Sequence, residues 1–258
     1  MSRNFELLSQ LGKMQELLPT EEMAPSHLPT PEAAPDLAIP EEDNVPSIPT
    51  LEMSGTVKDE ISKLVQNLFL GPQNCHQIVF AGCESGSGST WTCAHAGEIL
   101  AQTRGTVCVV DCHLRAPRLH EQFGQQNHHG LSDALIGTGT IREYVCRISR
   151  RLWLLSCGSA PDAGQNLLSS TRMRSRMAEL RATFDYVLID APPLNASSDA
   201  IMLGVETDGV VLMLKANSSR RESAKKAVQD LRAANVRTLG AVLNQRTFPI
   251  PEKLYRRL

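Results

Sequence analysis

From about residue 56 the chain alternates short, continuously apolar runs with stretches whose apolar positions recur every three or four residues. The runs are QIVFAG (77–82), TVCVVD (106–111), LWLLSC (152–157), YVLID (186–190), GVVLMLK (209–215) and TLGAVLN (238–244). Helical periodicity is expected over 56–69 ahead of the first run, and then over 90–103, 117–136, 165–183, 197–205 and 219–234. Strands that are apolar on both faces and separated by helices belong to a parallel sheet covered on both sides. The pattern therefore predicts an α/β fold, a doubly wound and mainly parallel sheet with helices on both faces and no internal repeat. Ligands in such folds sit at the carboxyl ends of the strands, so the loops after residues 82, 111 and 190 matter most.

The first fifty residues follow other rules. Phe5, Leu7, Leu8, Leu11, Met14, Leu17 and Leu18 fall mostly on one helical face, which predicts an amphipathic helix over 1–18. Residues 19–50 hold eight of the fifteen prolines, seven acidic residues, no lysine or arginine and no aromatic residue. Such a stretch buries too little apolar surface to offset its ordering entropy and is expected to be a disordered, acidic linker. The expected organisation is thus a helix over 1–18, a linker over 19–50 and one α/β domain over 51–258.

Charge and composition narrow the class. The net charge of −2 averages an acidic arm with a mildly basic domain, because residues 1–18 balance and the linker carries −7, which leaves +5 for the rest. That excess is too small to point to nucleic acid. No apolar run approaches the ~18 residues of a membrane span, and the start lacks a signal-peptide layout. Seven cysteines, most of them in apolar runs, fit reduced thiols in a cytoplasmic protein.

The first strand leads through CESGSGST (83–90) directly into a helix, the placement of a G-x-x-x-x-G-K-[ST] phosphate loop. There main-chain N–H groups and the helix N-terminus cradle phosphate, and a hydroxyl binds Mg²⁺. Gly86 and Gly88 give the backbone room, Ser87 and Ser89 lie between and after them, and Thr90 is the hydroxyl. Cys83 stands at the first glycine position and Ser89 at the lysine position, and there is no lysine between Lys63 and Lys215. Asp111 and Asp190 end the second and fourth runs, where carboxylates beside such a loop manage metal and nucleophile. Asn244 ends the last run and is a candidate for contact with a nucleotide base. His113, His120, His128 and His129 near Cys108 and Cys112 match no zinc spacing. Arg172, Arg174, Arg176 and Arg181 on one helix are expected to form a solvated face.

These residues resemble the catalytic domain of the bacterial tyrosine kinases of capsule and exopolysaccharide synthesis, relatives of the MinD/ParA P-loop ATPases. The resemblance covers about 55–250. It is carried by the loop 83–90, VVDCHLRAPRLHEQFG (109–124), GLSDALIG (130–137), LLSCGSAPDAGQNLLSSTRM (154–173), FDYVLIDAPPLNASSDA (184–200) and LRAANVRTLGAVLN (231–244). It implies ATP or ADP with Mg²⁺ as ligands, held by Gly86, Ser87, Gly88, Ser89 and Thr90, with Asn244 at the base. Thr90, Asp111 and Asp190 are the implied metal residues, Asp111 and Asp190 the implied catalytic pair, and Tyr255 the one candidate terminal phospho-acceptor.

Four departures accompany the match. The loop lysine is Ser89, the second acid of the family's D-x-D is His113, the E-x-x-R-x-x-R of the leading helix reads Glu60, Lys63, Gln66, and the C-terminal tyrosine cluster is missing. Losing a charge-assisted bond to phosphate, worth roughly 1.5–3 kcal/mol, leaves binding by the backbone possible. Losing a group that meets transition-state charge costs about 10²–10³ in rate. The resemblance with its departures implies a pseudokinase-like regulator of a membrane polysaccharide synthesis or export machine. The alternatives are an active ATP-dependent tyrosine autokinase or a positioning ATPase. The implied partners are a membrane-spanning polysaccharide chain-length (co-polymerase) protein and further copies of the chain. That partner or the N-terminal helix would bring the cytoplasmic protein to the inner membrane face.

Overall fold

The computed structural model describes residues 51, 53–103, 105–159 and 167–246, and within them all six apolar runs are strands. They are β1 (Gln77–Gly82), β2 (Val107–Asp111), β4 (Leu152–Leu155), β5 (Tyr186–Ala191), β6 (Gly209–Lys215) and β7 (Thr238–Asn244), joined by a two-residue β3 (Cys146–Arg147). The helices are α1 (Gly55–Val65), α2 (Ser89–Thr103), α3 (Leu119–Gln122), α4 (Leu131–Ile136), α5 (Thr171–Thr183), α6 (Asp199–Val205) and α7 (Arg221–Ala233). The expected helix 1–18, the linker 19–50 and Tyr255 lie outside the described residues.

The sheet order is β3-β4-β2-β5-β1-β6-β7, parallel throughout except for the β3–β4 pair. β1 lies between β5 and β6, and every residue of β1, β2 and β5 is buried. Apolarity on both strand faces has the reason given by the pattern, because each face packs on helices. Ile78, Phe80, Val109, Leu188, Val211 and Met213 meet Ile61 and Val65 of α1 and Ile99 and Leu100 of α2. Val79, Val110, Ile189 and Leu212 meet Met173, Met177 and Leu180 of α5, Leu203 of α6 and Leu231 of α7.

Three elements differ from expectation. The stretch 117–136 is not one helix but α3 and α4, because the chain between them is tied to the end of β4. Asn127 exchanges hydrogen bonds with the backbone of Gly158, Ser156 Oγ donates to the His129 carbonyl, and Leu131 N donates to the Ser156 carbonyl. The leading helix leaves α geometry at Gln66, and a π-helical turn over Gln66–Leu70 brings Leu68 and Phe69 into the core. Helix α5 starts at Thr171, where the Ser170 hydroxyl accepts the Met173 N–H at 3.1 Å.

The arginines of α5 depart from the expected solvated face. Arg172 donates to the carbonyls of Leu135, Ile136 and Gly137, and Arg176 donates to those of Ala134 and Gly137 while pairing with Glu179. Two of the four thus satisfy the carbonyls left open at the C-terminus of α4. Arg174 and Arg181 pair at the surface with Glu206 and Asp208.

All seven cysteines are free thiols, six buried and Cys146 exposed. Burial pushes the Cys157 thiol up to about 12 and raises those of Cys93, Cys108 and Cys112 as well. No helix among the described residues is long and apolar enough to cross a membrane.

Candidate functional site

With β1 next to β5 and β5 next to β2, the three carboxyl ends singled out in the sequence lie side by side. The loop 83–90 leaves β1, and Cys83 N still donates to the Met213 carbonyl of β6 at 2.9 Å. Gly86 and Gly88 both have left-handed backbones, φ 78° and 84°, which side chains other than glycine's rarely tolerate. Helix α2 begins at Ser89, and the Thr92 N–H to Gly88 carbonyl bond of 3.0 Å joins the loop to its first turn. Among the described residues none accepts a hydrogen bond from the main-chain N–H groups of Gly86, Ser87, Gly88, Ser89 or Thr90. The loop's carbonyls, in contrast, are taken. Asn244 Nδ2 donates to the Ser87 carbonyl at 3.0 Å and Gln245 Nε2 to the Gly86 carbonyl at 3.2 Å. Carbonyls turned to β7 with N–H groups left without partners make a concavity that suits an anion.

The two carboxylates stand opposite one another, since Asp111 and Asp190 are register partners in the β2–β5 pair. Asp111 accepts main-chain N–H bonds from His113, Arg118 and Leu119 at 3.0, 3.2 and 3.0 Å. Burial raises its carboxyl, and these bonds work against that rise. Asp190 has fewer partners. Thr90 Oγ1 donates to its Oδ2 at 2.6 Å, while Oδ1 is buried without a hydrogen bond. Burial, and then the neighbouring Asp111 charge, push its carboxyl up to about 8, although Thr90 and Ser89 favour the ionised form. Ser89, at the lysine position, thus turns its hydroxyl toward the carboxylate. His113 half-buries its ring, and burial lowers its pKa. Among the described residues no group of three or more His, Cys, Asp or Glu side chains is placed to hold a metal ion.

The structure therefore brings Gly86, Ser87, Gly88, Ser89, Thr90, Asp111 and Asp190 to one end of the sheet. Asn244 reaches the same place, with its amide spent on the loop. A Cβ on Gly88 would lie 2.2 Å from Asn244 Nδ2, so the two residues are in close register. Gln245 is a participant the sequence did not single out. Its signal is its place directly after a strand ending at the loop, and its φ of 56° turns the amide onto Gly86.

Comparison with known proteins agrees with the fold. Residues 75–229 match the family described as cellulose biosynthesis protein BcsQ. The chain is 32% identical over 160 residues to the tyrosine-protein kinase YwqD of Bacillus subtilis, covering 62% of this chain and 68% of that protein. It is 28% identical over 201 residues to a putative tyrosine-protein kinase EpsB of Ralstonia nicotianae, and 27% identical over 168 residues to the tyrosine-protein kinase Wzc of Salmonella typhi. It covers 78% and 65% of itself in these two matches but spans only 26% and 23% of the two relatives. Among solved structures the VpsO kinase domain is similar with a TM-score of 0.69 and 27% identity, over 74% of this chain and 97% of that one. MinD of Pyrococcus horikoshii, complexed with Mg-ADP, shares the fold at a TM-score of 0.56 and 19% identity, over 70% of this chain and 76% of that one.

Proposed function

The chain belongs to the family of cellulose biosynthesis protein BcsQ and is a P-loop domain of the bacterial tyrosine-kinase type, and from that premise we propose that it binds ATP or ADP with Mg²⁺, transfers phosphate poorly, and regulates a membrane-bound polysaccharide synthesis or export machine. The observation that carries this reading is the state of the loop. Its N–H groups are free for phosphate, yet Ser89 stands where the lysine belongs and faces Asp190.

The residues present fit the metal. Oδ1 of Asp190 is a buried oxygen without a partner, Asp111 is beside it, and Thr90 adds a hydroxyl. Hard oxygen donors of this kind suit Mg²⁺. When bound, Mg²⁺ would offset phosphate charge and favour the ionised carboxylates. Asp190 would take the proton of an incoming hydroxyl, Asp111 would remain oriented by its three N–H donors, and His113 supplies no second acid. The weak step in this reading is phosphoryl transfer rather than binding, because the backbone contributes to both states alike whereas a lysine's charge counts most in the transition state.

The partner in this reading is a membrane-spanning polysaccharide chain-length protein, with the segment 1–18 on its acidic tether as a second contact. Both the family description and the resemblance to kinases of exopolysaccharide synthesis support it. The test is titration of the full chain with ATP, with and without Mg²⁺, beside Ser89→Lys, while phosphate release and phosphotyrosine are followed. We expect Mg²⁺-dependent binding without turnover, and turnover gained by Ser89→Lys. Phosphate on Tyr255 of the unaltered chain, abolished by Asp190→Ala, would instead establish the active autokinase.

A further inference from the structure

The geometry points to Lys215 as a relocated cation that takes over the phosphate-binding duty of the missing loop lysine. The inference rests on the nucleotide-binding reading above and names a residue that reading does not use. Of the five lysines among the described residues, Lys58 and Lys63 lie on α1 and Lys225 and Lys226 on α7, so Lys215 alone lies on a strand.

Its strand is β1's neighbour. Gly82, the last residue of β1, pairs with Met213, so Lys215 stands two residues beyond the level at which the loop departs. At ~3.3 Å per residue and ~4.8 Å between strands, that places its Cα roughly 6–7 Å above the end of β1 and one strand aside. The face is fixed by alternation. Val211 and Met213 pack with α1 and α2, whereas Val210 and Leu212 pack on the other side, so Lys215 projects toward the side of α2. No irregularity intervenes, because the single register shift of the β6–β7 pair lies back at Val210 and Val211.

A second observation shows that this face at this level meets the loop. Lys215 pairs in register with Asn244, and Asn244 donates to the Ser87 carbonyl and crowds Gly88. A lysine on the same face, one strand nearer to β1, has the loop within range of its four-carbon stem. Its ammonium makes no hydrogen bond or ion pair among the described residues. Its hydrogen bonds are those of its main chain, whose N–H donates to Ser219 Oγ at 2.9 Å and whose carbonyl accepts from Ser218 N and Ser219 N. Glu84, the acid on the loop, likewise takes part in none of the described ion pairs, so Lys215 is not spent on neutralising it. An ammonium beside a loop whose N–H groups are free is a phosphate contact by charge and position, and its natural ligand is the polyphosphate of a nucleotide.

The test uses the full chain with Lys215→Ala, Lys215→Arg and the double variant Lys215→Ala with Ser89→Lys. The probe is a fluorescent ATP analogue with Mg²⁺, and adenosine serves as a competitor without phosphate. Lys215→Ala should weaken ATP binding about 10- to 100-fold, the loss of one charge-assisted contact. It should leave competition by adenosine unchanged. Lys215→Arg should retain most of the affinity, and Ser89→Lys should restore it in the Ala background. The half-exposed position keeps these variants folded, which a denaturant midpoint checks. Unchanged ATP affinity in Lys215→Ala, or an equal loss for adenosine, overturns the assignment of Lys215 while leaving nucleotide binding intact. An unaltered chain that binds no ATP overturns both readings together.

Discussion

Asp190 sets a pH dependence that belongs to a single side chain. In the folded protein its carboxyl is pushed up to about 8, whereas an unfolded Asp ionises near 3.9. Between those values the folded state holds a proton that the unfolded state has lost, so this group makes stability fall as pH rises from about 4 to about 8. His95 and His113, lowered by burial, act in the opposite sense only near and below about 6.5. The thiols raised by burial add to the fall over pH 7–8, where unfolded cysteines begin to ionise, so the carboxylate's share is read as a difference between variants. In urea unfolding Asp190 should supply up to about 1.4 kcal/mol per pH unit of the decline. Asp190→Asn should remove that share, and an unchanged slope in that variant would assign it elsewhere. Mg²⁺ with nucleotide should favour the ionised carboxylate and shift the dependence to lower pH. The place of Asp190 at a strand end is legible in the sequence, because it ends an apolar run before a turn. Its direct pairing with Asp111 is not, since the two residues lie 79 positions apart and the strand order that joins them depends on packing.

At the scale of elements, α5 and α4 show how side chains hold a short helix in place. Helix α4 has only six residues, too few to be stable alone, and its C-terminal carbonyls accept from Arg172 and Arg176. The Arg176 side chain is 12% exposed, so Arg176→Ala should cost about 1–3 kcal/mol, the penalty of leaving buried carbonyls without a donor. Arg174, 71% exposed in its pair with Glu206, should change stability by less than about 1 kcal/mol when replaced by Ala. Denaturant midpoints of the two variants measured together decide the point, and equal effects would refute it. The periodicity of α5 was readable, but the use of two arginines was not, because their acceptors lie about forty residues upstream. Strands were legible almost to the residue because they are apolar on both faces. The break at 123–130 was hidden, since it is made by Asn127 and Ser156 bonding to distant backbone, and local periodicity carries no trace of such bonds.

For the molecule as a whole, the parallel sheet gathers the candidate site at one end. Neighbouring strands all point their carboxyl ends the same way, so the loop, both acids, Asn244 and Lys215 share one rim although they span residues 83 to 244. Placing these residues on strand ends is within reach of a sequence reading, and it gave the right doubly wound class. Contacts across the rim are not, because the β7 to loop bonds join residues 157 and 159 positions apart. A seven-stranded sheet packed on both faces also leaves little room between thiols and helices. Six cysteines sit inside it and one outside, which gives the protein an internal clock. A maleimide added to the native chain should attach once, at Cys146. Every further equivalent can enter only as fast as the fold opens, so counting labels against time by mass spectrometry reads the opening rate directly. Nucleotide, if it braces the rim, should slow the late labels and leave the first untouched.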